Sequence, residues 1–292
     1  MVETMNILGT GLSGLVGSRV VELLSPEYSF ENLSLETGVD ITKKESVDSY
    51  FAHSDAPWVF HFAAYTDVQG AESERRLGGE SMAWKVNVLA TENIIANCRS
   101  SGKKLVYVDT DYAFDGKKSE YSEDDVPNPL GWYGVTKSEG AKRVLALGDL
   151  GLVIRISNPY RAHQIGKKDF VHKMLEQLES NQPVLAPTDQ IFTPTFIDDI
   201  ALALRLLIQT NARGIYHVVG NNALSPFDAA VAIADAFDCD KTLVKPASFI
   251  RMFQNRAPTP QYAVLKNDKI CALGATMRTF TEGLRQVKSQ EI

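Results

Sequence analysis

In the first half of the chain, short apolar runs alternate with longer stretches in which hydrophobic positions recur every three to four residues. The runs cover residues 5–9, 33–35, 58–62, 105–108 and 152–156, and the amphipathic stretches begin near Gly14, Lys43, Ser81 and Trp132. Strand-length runs separated by helix-length segments predict parallel pairing through right-handed crossovers, hence an α/β fold built on a doubly wound parallel sheet. Beyond residue 156 the rhythm loosens, because Pro159, Pro183, Pro187, Pro194, Pro246, Pro258 and Pro260 interrupt it. Helical periodicity returns over 170–178, 199–208 and 227–237, with a strand predicted at 215–219. The expected division is a sheet region over 1–156 and a smaller C-terminal α/β lobe over 157–292, with segments of the second part able to return to the sheet.

Composition adds constraints to this picture. The chain has 292 residues, 44% of them apolar, which is enough for a substantial core. The net charge of −6 comes from interspersed acids and bases, with no basic block of the kind that binds nucleic acid. Cys98, Cys239 and Cys271 are odd in number and lack CxxC spacing, so they read as unpaired thiols of a reducing compartment. No apolar run reaches the roughly 20 residues of a membrane span. Acids precede the first apolar run, unlike in a signal peptide, and the expected location is the cytoplasm. His61, His163 and His217 show no metal-ligand spacing, so no metal site is expected.

The first chemical motif stands between the first strand and the first helix: Thr10-Gly11-Leu12-Ser13-Gly14-Leu15-Val16-Gly17. Glycines there permit a tight turn, close approach to a pyrophosphate and close packing of helix on strand, while the helix N-terminus presents free N–H groups to an anion. The sheet region thus predicts a dinucleotide-binding Rossmann fold. The second motif is Tyr133-Gly134-Val135-Thr136-Lys137. Residues four apart share a helical face, and a neighbouring ammonium lowers a phenol pKa from about 10. Alone, the pair fits a surface Tyr beside a solvated Lys; joined to the glycine loop, it reads as an acid–base pair.

The TGxxGxxG spacing together with YxxxK resembles the extended short-chain dehydrogenase/reductase family. That resemblance implies NAD(P) as cofactor and adds Thr110 and Asn87 to Tyr133 and Lys137 as a catalytic set. It implies hydride exchange between nicotinamide and a sugar carbon, with Tyr133 exchanging the proton and Lys137 both lowering the Tyr133 pKa and bonding the nicotinamide ribose.

Further stretches resemble the dTDP-4-dehydrorhamnose reductase branch of that family. Residues 109–116, Asp-Thr-Asp-Tyr-Ala-Phe-Asp-Gly, are similar to the branch's STDYVFDG, and residues 40–42, 62–68 and 189–195 match its habits. The resemblance implies cofactor contacts from Gly11, Leu12, Ser13, Gly14, Gly17, Asp40, Ile41, Ala63 and Ala64, and substrate contacts from Thr66 and Asp111. Related 4,6-dehydratases carry an Asp-Glu pair after the threonine; here Asp111 is followed by Tyr112, which favours plain carbonyl reduction. Two departures stand out: Asn158 replaces a substrate-side aromatic in the branch's RTSWVYG, and RPxxS survives only as Arg256-Ala257-Pro258-Thr259-Pro260.

The expected substrate is a nucleotide-diphospho-sugar with a 4-keto group. Arg251 and Arg256 lead the candidates for its diphosphate, since a guanidinium pairs bidentately with phosphate. Two alternatives accompany the reductase: an epimerase that retains its cofactor, and a dinucleotide-binding regulatory subunit like the methionine adenosyltransferase β subunit. A homodimer fits the family. Glu36, placed just past a strand at 33–35, sits near the ~20-residue offset at which an acid grips the adenosine ribose, so NAD(H) is expected over NADP(H). Arg19 is the residue expected to rescue NADP(H) if it turns toward the ribose.

Overall fold

The computed structural model describes residues 4–290. Its centre is a six-stranded, all-parallel sheet of β1 (Met5–Thr10), β2 (Tyr28–Leu33), β3 (Trp58–His61), β4 (Lys104–Thr110), β5 (Gly151–Ile156) and β6 (Gly214–His217). The spatial order is β6-β5-β4-β3-β1-β2, so the winding reverses between β1 and β3. In open parallel sheets such a reversal leaves a crevice at the carboxyl ends of the two strands, and ligands bind there.

Alternation along each strand sorts side chains to two faces. On one face Ile7, Phe60, Val106 and Ile154 pack against α1 (Leu15–Leu24) and a helix at Ile197–Gln209. On the other, Leu8, Val59, Tyr107 and Val153 meet helices at Lys44–Phe51, Ala90–Ser101 and Trp132–Leu145. A third core, with Tyr160, Leu175, Phe192, Phe196, Ile233 and Phe280, joins the helices Phe170–Glu179, Pro226–Ala236 and Phe280–Gln290. Short parallel pairs edge this C-terminal part: Pro159–Tyr160 with Thr195–Phe196, Val184–Pro187 with Val244–Ala247, and Ile191–Phe192 with Tyr262–Ala263. No helix among the described residues is long and apolar enough to cross a membrane.

Two strands differ in their bounds from the sequence reading. The second strand is Tyr28–Leu33, not 33–35. It lies at the sheet edge, where Ser29 is exposed and Glu31 and Asn32 are half-buried, so it lacks the continuous apolar run of a central strand. The last strand, β6, occupies Gly214–His217 and pairs with β5, which brings a segment from beyond residue 156 back into the sheet.

The helix Ile197–Gln209 is tied to α1 by a buried ion pair. Arg19 donates through Nε and Nη2 to the two carboxylate oxygens of Asp198, each at 2.7 Å, and also to Glu22 and Gln290. Arg19 is therefore committed to this link and does not turn toward a ribose. Removing one partner of a buried pair leaves the other charge unpaired. Asp198→Ala is expected to lower stability toward the lower end of about 3–5 kcal/mol, because Glu22 and Gln290 retain part of the guanidinium's bonding. A urea titration checks this, and a loss below ~1 kcal/mol would mean that the pair does not hold the helices together.

Candidate active site

The glycine loop leaves β1 at the order reversal. Gly11 has φ +67°, and a Cβ on it would stand 2.5 Å from the Ala63 amide nitrogen, so only glycine fits against the chain leaving β3. A Cβ on Gly17 would lie 2.3 Å from the Gly11 carbonyl, so α1 closes directly onto the loop. At Gly14, the N-cap of α1, a Cβ would meet only the Gly11 carbonyl, at 3.2 Å, and no side chain among the described residues caps the helix. The first N–H groups of α1 thus face an open cradle suited to a pyrophosphate. Ser13 is exposed above it, whereas the Leu12 side chain turns inward beneath Gly9 and leaves only its backbone to the cradle.

A buried chain of hydrogen bonds runs under this cradle. The Ala63 amide donates to Thr10 Oγ1 at 3.2 Å, Thr10 Oγ1 stands 2.7 Å from His61 Nδ1, and His61 Nε2 stands 2.9 Å from Thr91 Oγ1. Thr91 Oγ1 in turn donates to the Asn87 carbonyl at 2.9 Å. With the Thr91 proton used there, His61 donates through Nε2 and accepts at Nδ1. Burial, then the charge of Lys137, push the His61 pKa down to about 3, so the ring is neutral.

Asn87 lies in a π-helical turn, Lys85–Leu89, which leads into the helix Ala90–Ser101. It does not face solvent. Its Oδ1 accepts from the Tyr65 amide at 2.8 Å, and its Nδ2 donates to the Tyr65 carbonyl at 3.2 Å and to Thr136 Oγ1 at 3.0 Å. One side chain thereby fixes the loop after β3 against the helix Trp132–Leu145. A Cβ on Gly140 would stand 2.6 Å from the Asn87 carbonyl, so that helix rests on the π turn itself.

Tyr133 and Lys137 occupy successive turns of the helix Trp132–Leu145, whose first N–H is capped from outside by Glu72, 2.7 Å from the Trp132 amide. Burial raises the Tyr133 phenol well above its ordinary value, and a hydrogen bond with Thr110 opposes that rise. Asp111, Asp109 and Tyr112 add to the rise, so the phenol stands above its ordinary value and not below it, as the YxxxK pairing led one to expect. The Lys137 Nζ instead stands 4.0 Å from the centre of the Tyr107 ring, and burial brings its pKa down to about 8.

Thr110 ends β4 and donates to Asp111 Oδ1 at 3.0 Å, while Ser157 donates to Asp111 Oδ2 at 2.6 Å. Burial lifts Asp111 to about 6 against these bonds. Asp111, Tyr112 and Asn158 line a cleft of about 150 Å³ whose far side is made by Phe170, Phe192 and Phe253 of the C-terminal part. Tyr112 meets Tyr133 edge-on, with ring centres 5.6 Å apart. Asn158 has φ +41°, a left-handed conformation that asparagine tolerates better than an aromatic, which gives a backbone reason for its presence. A larger depression of about 350 Å³, between residues 276–278 and 282–286, shares no lining residue with this cleft.

The other expected residues stand at or beyond the margins. Arg251 and Arg256 are exposed and do not line the cleft; Arg256 reaches it only through Phe253, its guanidinium 5.7 Å from that ring centre. Thr66 is exposed on the loop that leads to Asp67, and Ala64 is half-buried beside it. Asp40 closes a turn by accepting from Thr42 N and Oγ1, at 3.0 and 2.6 Å, and these bonds hold its carboxylate below the usual range. The Ile41 carbonyl accepts from Asn93 at 3.0 Å. Glu36 lies exposed in a 3-10 turn, Leu35–Thr37, and the residue directly after β2 is the uncharged Ser34. Glu72 and His61 had no assigned role in the sequence reading, since their partners lie about 60 and 30–51 residues away and no local spacing marks them.

A glycine cradle at the sheet's order reversal, next to a helix carrying Tyr133 and Lys137, defines an NAD(P)-dependent oxidoreductase of the extended short-chain dehydrogenase/reductase type. Within that class the chain belongs to the family described as the RmlD substrate binding domain, whose model matches residues 5–291. It is 33% identical to a dTDP-4-dehydrorhamnose reductase from Aggregatibacter actinomycetemcomitans, over 81% of each chain. It is 29% identical to methionine adenosyltransferase 2 subunit beta from Xenopus tropicalis, over 95% of this chain and 85% of that one. A crystal structure of dTDP-4-dehydrorhamnose reductase from Bacillus anthracis in complex with NADP superposes with a TM-score of 0.89 at 28% identity, covering 99% of this chain and 100% of that one.

Asn87→Ala leaves the Tyr65 amide, the Tyr65 carbonyl and Thr136 without their shared partner. The expected cost is about 1–3 kcal/mol of stability for the buried groups left unpaired, with weakened cofactor binding as the loop after β3 loosens. Chemical denaturation and a cofactor titration by calorimetry check both; unchanged values would mean that the loop is held by other contacts.

Proposed function

We propose that this protein reduces the 4-keto group of a nucleotide-diphospho-sugar with NAD(P)H, in the manner of a dTDP-4-dehydrorhamnose reductase. The observation that carries this reading is the Tyr133 phenol, raised by burial and bonded to Thr110 beside a cleft with no second carboxylate at position 112. A phenol is protonated at neutral pH, which is the state a carbonyl reduction requires of its acid.

The glycine cradle and the free N–H groups of α1 suit the cofactor's pyrophosphate, and Ala63 and Ala64 border the same crevice. A bound reduced nicotinamide supplies the hydride. Tyr133 holds the proton at Oη and gives it to the sugar oxygen, while Thr110 orients that oxygen. Lys137 carries positive charge beside the cofactor and the phenol, and Asn87 keeps the helix and loop in register. Residues 157–292 contribute mainly the sugar-nucleotide side, with Arg251 and Arg256 at its rim for the diphosphate, while β6 and the helix before it return to the sheet. The protein's share is position and electrostatics.

Tyr133→Phe keeps the ring and removes the proton. Turnover of a 4-keto nucleotide sugar is expected to fall by about 10²–10⁴-fold with cofactor binding retained, as followed by NAD(P)H absorbance. Wild-type turnover in that variant overturns the acid assignment, and conversion without net cofactor consumption indicates an epimerase. Cofactor binding without any turnover by the wild type points to the regulatory reading suggested by the methionine adenosyltransferase relative. As for cofactor choice, Ser34 after β2 neither repels a 2′-phosphate nor offers a carboxylate to a 2′-hydroxyl. The kcat/KM values for NADH and NADPH are therefore expected within about tenfold of each other, and unchanged in ratio by Glu36→Ala. A strong NADH preference that Glu36→Ala abolishes would restore Glu36 as the selector.

A further inference from the structure

Beneath Lys137 lies a buried charge for which the proposed reaction has no role. Tyr107 and Asp109 are two apart on β4 and point to the same face, while Val108 between them packs on the opposite one. The Tyr107 ring carries the Lys137 ammonium, 4.0 Å above its centre, and the Tyr107 hydroxyl donates to the Lys137 carbonyl at 3.3 Å. Asp109 is the next residue on that face toward the cleft, with no side-chain surface exposed. Its Oδ2 accepts from Arg155 Nε at 2.8 Å across the β4–β5 register, and its Oδ1 has no hydrogen-bond partner among the described residues. In the STDYVFDG pattern that residues 109–116 resemble, this position is serine, so the carboxylate is a feature of this chain.

We propose that Asp109 is a positioning residue for the reduction: a buried counter-ion that, with the Tyr107 ring, keeps Lys137 an ammonium beside the cofactor crevice. A buried lysine favours its neutral form unless a negative charge or an aromatic face compensates. Among the groups around Lys137, His61 on β3 is neutral, and Arg155 on β5 is spent on Asp109. Tyr133 on its own helix is protonated, Asp111 is occupied by Ser157 and Thr110, and Glu72 sits at the helix N-terminus on the Trp132 amide. Asp109 is the charge that raises the Lys137 pKa against burial. Arg155 has its own support, its guanidinium 4.9 Å from the Phe114 ring centre, so the ion pair is built into the sheet rather than free to swing away.

The inference rests on the reductase reading, and its test separates the two. The Lys137 resonance in lysine-labelled protein, identified by its loss in Lys137→Met, is titrated by NMR in the wild type, in Asp109→Asn and in the double variant Asp109→Asn/Arg155→Met. The double variant leaves neither charge unpaired and is read if the single one does not fold. Asp109→Asn is expected to move the Lys137 midpoint down by about one pH unit, and the alkaline limb of kcat/KM with it, and the double variant, which also loses the Arg155 cation, to move it in the same direction by less. An unchanged midpoint overturns the proposal, as does a uniform loss of activity at every pH with the midpoint in place, which is what a structural role alone gives. A lowered midpoint in a protein whose wild type reduces no 4-keto sugar upholds the counter-ion and rejects the reductase.

Discussion

The neutral imidazole of His61 is the joint on which the site depends. It is buried at the end of β3, and its two nitrogens are committed in opposite senses, one to Thr10 before the glycine loop and the other to Thr91 above the π turn. Because each hydroxyl passes its own hydrogen bond onward, the loop, the chain after β3 and the Asn87 turn are set by one directional chain of donors and acceptors. Such a chain is stable in a low-dielectric interior only when every member is satisfied. Protonating His61 would break its acceptor side, and burial beside Lys137 opposes that protonation. The cradle and the helix that carries Tyr133 are thus registered to each other by a contact that touches neither.

Burial works in different directions on the three groups nearest the chemistry. It raises the Tyr133 phenol, lifts Asp111 to about 6 and lowers Lys137 to about 8, in each case because the charged form loses solvation. Hydrogen bonds moderate the first two, and the Asp109 carboxylate moderates the third. What separates a proton donor from a cation on one helix face is therefore the set of partners each meets, more than the spacing between them.

The C-terminal part is joined to the sheet by charged groups as well as by apolar packing. Arg19 on α1 grips Asp198, and Arg161, fully buried, donates to Ser18 Oγ at 2.7 Å and to the Leu15 carbonyl at 3.2 Å. Both contacts fall on the helix that follows the glycine loop. The helix whose N-terminus forms the cradle is thus the same one that seats the C-terminal part.

Local pattern was sufficient for the parallel α/β architecture, the glycine loop, the pairing of Tyr133 with Lys137 on one helix face, and the helices near 170, 199 and 227, because each is written in spacings of a few residues. It misplaced β2, whose edge position removes the continuous apolar run, and with it the strand end on which the role of Glu36 depended. It also offered Arg19 as a free cation, when Asp198, 179 residues away, had already engaged it. Asn87 could be named only from the family resemblance, and its three bonds, to both backbone groups of Tyr65 and to Thr136, come from elements brought together by the fold. Thr110 and Asp111 could be named from a motif, but the bonds to Ser157 and Tyr133 and the burial that shifts their pKa values arise only when β4, β5 and the helix Trp132–Leu145 come together. Periodicity and turn chemistry are properties of neighbouring residues, so the sequence determined them; the partner and charge state of a buried polar group depend on which distant residues share its dry surroundings, and the tertiary structure alone decided those.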